Sequence, residues 1–110
     1  MERFQELGLT RQLQNGVDDL GLVKPTAIQS ASFPVVLSGK DVVGIAQTGT
    51  GKTLAYMLPI LQKLKFSKQI NPRVLVMVPT RELVLQVVDM INAVTTYVSV
   101  RALGVYGDTN

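Results

Sequence analysis

An apolar run that ends on glycines, with a helical pattern opening immediately after it, constrains this chain more than any other feature. Residues 41–46 read as a buried strand, the stretch Gln47-Thr48-Gly49-Thr50-Gly51 as a loop, and Leu54, Met57, Leu58, Leu61 and Leu64 as one face of a helix beginning at Lys52. Strand, glycine-rich loop and helix in that order are the context a phosphate-binding loop requires. Gly49 and Gly51 permit backbone dihedrals that a Cβ would forbid, so successive N–H groups can turn inward around phosphate oxygens. The start of the helix adds N–H donors without intrahelical partners and a partial positive charge. Lys52 would bring a full charge to the β- and γ-phosphates, and Thr53 a hydroxyl ligand for magnesium. Ala46 stands where the general pattern has its first glycine. The bland alternative is a tight strand-to-helix turn carrying an exposed lysine.

The rest of the chain alternates in the same way. A short helix is expected over residues 10–20, capped by Thr10 and with Leu13, Val17 and Leu20 on one face. Gly21 ends it, and Val23-Lys24-Pro25 forces an extended passage, because the residue before a proline avoids the helical region. A second helix is expected from Thr26 to about Leu37, kinked or interrupted at Pro34. Residues 65–73 form a polar loop. Residues 74–78 are continuously apolar, the pattern of a central parallel strand covered on both sides. Pro79 stops that run, and Thr80 can cap a helix reaching about Thr96, in which Val84, Val87, Ile91 and Val94 keep the period. Its β-branched content means that packing must hold it. Residues 98–106 read as a last strand and 107–110 as a turn.

Strand, helix, strand, helix, strand predicts right-handed crossovers and the α/β fold class: a phosphate-loop NTPase parallel sheet with flanking helices, truncated. In such sheets ligands gather at the carboxyl ends of the strands. The candidate segments 47–53, 79–83 and 107–110 all fall there.

Composition narrows the alternatives. With 110 residues the chain is one domain at most, and its apolar fraction of 46% against 17% charged implies an apolar face that meets something outside these residues. The net charge of +3 permits a polyanionic partner without demanding one. There is no cysteine and no histidine, which excludes disulfide scaffolds, thiol chemistry and Cys/His metal sites. No apolar run approaches the length of a membrane span and the N-terminus lacks a signal-peptide pattern, so a cytoplasmic location is expected.

Upstream of the loop, the segment Gly21-Leu22-Val23-Lys24-Pro25-Thr26-Ala27-Ile28-Gln29 carries a candidate base reader. A glutamine amide donates and accepts at once, so Gln29 can pair with the N6 amino group and N7 of adenine, whereas guanine presents acceptors at both places. Taken alone, a glutamine near a helix start is more often a solvated or capping residue. Phe4 could stack on a base, or anchor the N-terminal arm.

Phe4, then Gly21-x-x-x-Pro25-Thr26-x-x-Gln29, then Ala46-Gln47-Thr48-Gly49-Thr50-Gly51-Lys52-Thr53, then Pro79-Thr80-Arg81-Glu82-Leu83, resembles the opening of a DEAD-box RNA helicase in order and spacing, over essentially the whole chain. Ala46 is the residue this family uses at its place. The resemblance implies the N-terminal part of a first RecA-like domain, with residues 1–30 as the Q-motif region and 41–110 as the phosphate-loop core. It implies that Phe4, Lys24, Pro25, Thr26 and Gln29 sense adenine. Thr48, Gly49, Thr50, Gly51, Lys52 and Thr53 would grip ATP and Mg2+, with Lys52 and Thr53 as the catalytic groups and Thr53 as the metal ligand. Pro79, Thr80, Arg81 and Glu82 would contact the RNA backbone, and Gly107 would permit its close approach. Asp108 stands where the family usually has a second glycine.

The sequence stops before the Asp-Glu-Ala-Asp segment that names the family. The parent is therefore expected to be an ATP-dependent RNA helicase, and these residues alone to hold adenine nucleotide without useful hydrolysis. Two other readings compete. A truncated sheet leaves an unpaired edge, which suits a self-associating interaction module. A different phosphate-loop enzyme, such as a small-molecule kinase, would need a substrate lid that residues 64–110 do not resemble.

Overall fold

The computed structural model describes residues 3–46, 51–64 and 73–107. They form a 3-10 turn, Phe4–Leu7, and four helices: α1 (Arg11–Asp19), α2 (Ala27–Leu37), α3 (Lys52–Lys63) and α4 (Arg81–Val94). Three of the four open on the threonine that the sequence nominates. The Thr10 hydroxyl accepts from the Leu13 N–H and the Thr80 hydroxyl from the Leu83 N–H, so each satisfies a donor that the first helical turn cannot. At α2 the bond is reciprocal. The Thr26 hydroxyl accepts from Gln29 N at 3.4 Å while Gln29 Oε1 accepts from Thr26 N at 2.9 Å, a complete capping box.

Two prolines lie inside helices. Pro34 does not interrupt α2, which reaches the expected Leu37, and Ser38 N donates to the Pro34 carbonyl at 3.1 Å. In the last turn a proline removes one helical bond and leaves little helix beyond it to disrupt. Pro59 lies deep in α3 and leaves the Ala55 carbonyl without its helical donor. Ser32 of α2 fills the gap: its Oγ lies 3.0 Å from the Ala55 oxygen and 2.6 Å from that of Ile28, sharing one proton between them. Ser32, Ala55 and Pro59 are all buried.

α2 packs along α3, α3 meets α4, and α4 meets α1, so the helices form one layer. Phe33, Leu54, Leu58, Ile91 and Val94 join Leu13 and Val17 in its core. α1 reaches α4 because Gly16 has no side chain: a Cβ there would collide with the Val94 carbonyl oxygen. α4 stops at Val94, short of the expected Thr96, where the Thr95 hydroxyl folds back onto the Ile91 carbonyl at 2.6 Å. Tyr97 then donates to an Asp19 carboxylate oxygen, tying the exit of α4 to the end of α1.

The expected parallel sheet is not formed among the described residues. Segments 41–46, 73–78 and 98–106 are non-helical, and no backbone hydrogen bond links any two of them. Residues 75–78 and 98–106 nonetheless alternate in exposure with the period of strands, whereas 41–45 are exposed throughout. Val76, Val78, Val98, Val100 and Ala102 pack on the helix layer, while Val43, Ile45, Leu75, Met77 and Leu103 face away at 83% exposure or more. Residues 74–78 are therefore covered on one side only, not on both. An apolar run secures burial of a face, whereas a strand also needs a ladder partner, and the run does not specify one. No described helix is long and apolar enough to cross a membrane.

Candidate functional site

The first residue group lies where α3 begins. Gly51 precedes the helix in the left-handed region, with φ of +79°, a conformation that strains any residue bearing a Cβ. Unlike α1, α2 and α4, α3 has no side-chain cap, so its opening N–H groups are available to an anionic ligand. Lys52 is exposed and Thr53 half-buried at that same end.

Gln29 sits against this helix start although it is 22 positions earlier in sequence. Its Nε2 donates to the Gly51 carbonyl at 3.0 Å, while its Oε1 holds Thr26 N as described above. A Cβ on Gly51 would collide with the Gln29 Nε2, and would lie 3.6 Å from Thr26 Cγ2. The two segments thus close on each other because position 51 is empty. A carboxamide has two N–H donors and two lone pairs, and Gln29 has committed one of each here, leaving one of each for a ligand. At 5% exposure the amide is rigidly placed. The Thr26 hydroxyl is spent on the cap, and Lys24 is exposed.

Phe4 has the burial of an anchor, one of the two roles the sequence left open. It is 1% exposed, within the core, and its N–H donates to the Val23 carbonyl at 2.9 Å. No ring face remains for a base: Phe4 anchors the N-terminal arm, since burying an aromatic ring outweighs leaving it half-wet. Thr48, Gly49 and Thr50 lie outside the described residues.

The second group lies at the start of α4, in an open groove of ≈ 400 Å³ lined by residues 78–81, Val84 and residues 105–107. Pro79, Thr80 and Arg81 are exposed there and Gly107 lines it too, while Glu82 is exposed but does not line the groove. The Arg81 guanidinium lies 5.5 Å from the centroid of the Tyr106 ring. Tyr106 is absent from the sequence-derived candidates, and its one local signal was an aromatic residue directly before Gly107. Asp108 lies outside the described residues. Among the described residues no cluster of three acidic side chains is placed to hold a metal ion.

A family model for the DEAD/DEAH box helicase matches residues 26–110, which include Gln29, Gly51 and the whole Arg81 groove. The chain belongs to this family. It is 50% identical over 86 residues to the ATP-dependent RNA helicase DRS1 of Candida albicans, a match covering 78% of the chain and 14% of that relative. It is 42% identical over 108 residues to the ATP-dependent RNA helicase DeaD of Mycobacterium tuberculosis, covering 97% of the chain and 19% of that relative. The crystal structure of the RNA-helicase Prp28 from Chaetomium thermophilum bound to ADP is similar over the whole chain, with a TM-score of 0.88 at 34% identity, and the match covers 28% of that protein. The chain therefore spans less than a third of each of these DEAD-box proteins. Phe4 and Lys24 fall outside the residues that the DEAD/DEAH box model matches.

Proposed function

We propose that this chain is the N-terminal part of the first RecA-like domain of an ATP-dependent RNA helicase, in which residues 1–30 carry the adenine-facing segment and residues 41–110 the phosphate-loop core. In this reading residues 41–46, 74–78 and 98–106 are the segments that supply strands to its parallel sheet. The observation that carries the reading is the bond from Gln29 to the Gly51 carbonyl, which ties a base-reading amide to the start of an uncapped helix. Gln29 offers its remaining lone pair and N–H to the N6 amino group and N7 of adenine, and Thr26 holds it there through the capping box. Lys24 is the exposed cation of the same segment.

Thr48, Gly49, Thr50 and Gly51 wrap the phosphates, Lys52 neutralises the β- and γ-phosphates, and Thr53 gives its hydroxyl to Mg2+. The reading is supported by the left-handed backbone of Gly51, which disfavours a Cβ, and by the lack of a side-chain cap at the start of α3. Bound magnesium supplies charge neutralisation at the phosphates. The similar Prp28 structure holds ADP, the ligand class proposed here. Lys52 and Thr53 are the only groups we assign to the reacting phosphate. Glu82 opens α4 and Asp89 lies exposed in its middle, so these residues alone grip nucleotide and do not turn it over.

Pro79, Thr80, Arg81, Glu82 and Gly107 form the RNA-backbone face, where Arg81 supplies the cation and Gly107 the room for close approach. The bare apolar face of Val43, Ile45, Leu75 and Met77 favours a second property, self-association between copies, which a concentration-dependent molecular mass would reveal.

Gln29→Glu tests the adenine assignment, because it keeps the oxygen that accepts from Thr26 N and removes the donor. Both nucleotides lose the Gln29 bond to the Gly51 carbonyl, so ATP binding should weaken about tenfold more than GTP binding, the equivalent of one further hydrogen bond. Equal losses for the two nucleotides would overturn the role.

A further inference from the structure

We infer that Tyr106 is a positioning residue for Arg81, holding its guanidinium in place to receive an RNA phosphate; the inference rests on the RNA-backbone reading of this groove. The arrangement starts from Gly104. Its φ is not positive, so glycine is there for space and not for its dihedral freedom. A Cβ at position 104 would stand 2.9 Å from Val84 Cγ1 and 3.1 Å from Val88 Cγ2, tighter than methyl groups accept. Without one, the last segment lies directly on α4.

Arg81, Val84 and Val88 follow one another along one face of α4, at spacings of about one helical turn each. In the segment, Ala102, Gly104 and Tyr106 are half-buried while Leu103 and Val105 point outward. The segment runs against the direction of α4. Contact of position 104 with Val84 and Val88 therefore carries position 106, the next on that face, to the first turn of the helix. There the Tyr106 ring meets the Arg81 guanidinium at 5.5 Å. A guanidinium over a ring has its orientation restricted, and a long side chain ordered in advance loses less freedom on binding a phosphate. The Thr80 hydroxyl beside it accepts from the Leu83 N–H and keeps its own O–H as a donor, but carries no charge.

Two measurements on the 110-residue chain test the assignment. In proton NMR without RNA, the Arg81 Hδ and Hε signals should be shifted upfield by the ring, remain so in Tyr106→Phe, and return to ordinary positions in Tyr106→Leu. Unshifted signals in the parent chain would overturn the stack. In fluorescence anisotropy with a labelled oligouridylate, Tyr106→Leu should weaken binding about two- to five-fold, the range of an exposed cation–π contact, and Tyr106→Phe should restore it. On an Arg81→Ala background, Tyr106→Leu should have no further effect. A full, additive loss on that background would mean that Tyr106 contacts RNA by itself, and would overturn positioning. If Arg81→Ala binds RNA as the parent does, the RNA-backbone reading fails and the positioning role falls with it, whatever the NMR shift.

Discussion

Ser32→Ala removes a single hydroxyl, yet it should destabilise the chain as a much larger core change would. Pro59 has no N–H, so the Ala55 carbonyl inside α3 has no helical partner, and the Ser32 hydroxyl at 3.0 Å is the donor that serves it. The Ile28 carbonyl loses the same hydroxyl but keeps its own helical donor, so the deficit falls on Ala55. Both Ser32 and Ala55 are less than 8% exposed, which leaves water little access to the stranded oxygen. A buried carbonyl left without a partner costs about 1–3 kcal/mol. With a typical urea dependence for a small domain, that is a fall of about 1 M in the unfolding midpoint. Urea unfolding followed by circular dichroism measures it. The control is Pro59→Ala, which returns an N–H to the Ala55 carbonyl. On that background Ser32→Ala should cost less than about 0.5 kcal/mol, so the double-mutant cycle should show strong coupling. Equal losses on the two backgrounds would refute the argument.

Gly16→Ala should destabilise by about 3 kcal/mol or more, because its methyl would meet the Val94 carbonyl oxygen and α1 would have to leave α4; thermal unfolding measures this, and an unchanged midpoint would contradict the close approach. Tyr97 has its pKa raised, first by its hydrogen bond to Asp19 and then by that carboxylate's charge. The bond stabilises the protonated phenol. Its contribution is therefore fully present below the ordinary tyrosine value of about 10, and is lost as pH rises through the higher folded value. The ultraviolet difference titration of the parent chain against Tyr97→Phe should show that late phenolate, and titration at the ordinary value would count against the bond.

The helix starts were legible in the sequence because a cap is a local event. Thr10, Thr26 and Thr80 each bond a backbone N–H three residues on, so spacing alone locates them. The Gln29–Gly51 contact was foreshadowed only as two motifs. What joins them, an amide donating to a carbonyl across 22 positions, needs the packing of α2 on α3. The same packing pairs Ser32 with the gap left by Pro59, and nothing near either residue announces the other. Phe4 could be read as a stacking ring or as an anchor, and burial in the core decided for the anchor. The sheet is the part of the expectation that the described residues do not form. Residues 74–78 are apolar at every position, which suggests two covered faces, while the described residues cover only the face of Val76 and Val78. Tyr106 escaped notice because its meeting with Arg81 depends on Gly104 seating one segment on α4, a relation between distant residues.

The central claim is that an adenine-reading amide and a phosphate-gripping helix start form one site. Calorimetric titration of the chain with ADP and magnesium, then with GDP and magnesium, tests it most directly. The account predicts that ADP binds and GDP does not. Equal binding of both would remove Gln29 from base recognition, and binding of neither would contradict the claim that these residues assemble a nucleotide site.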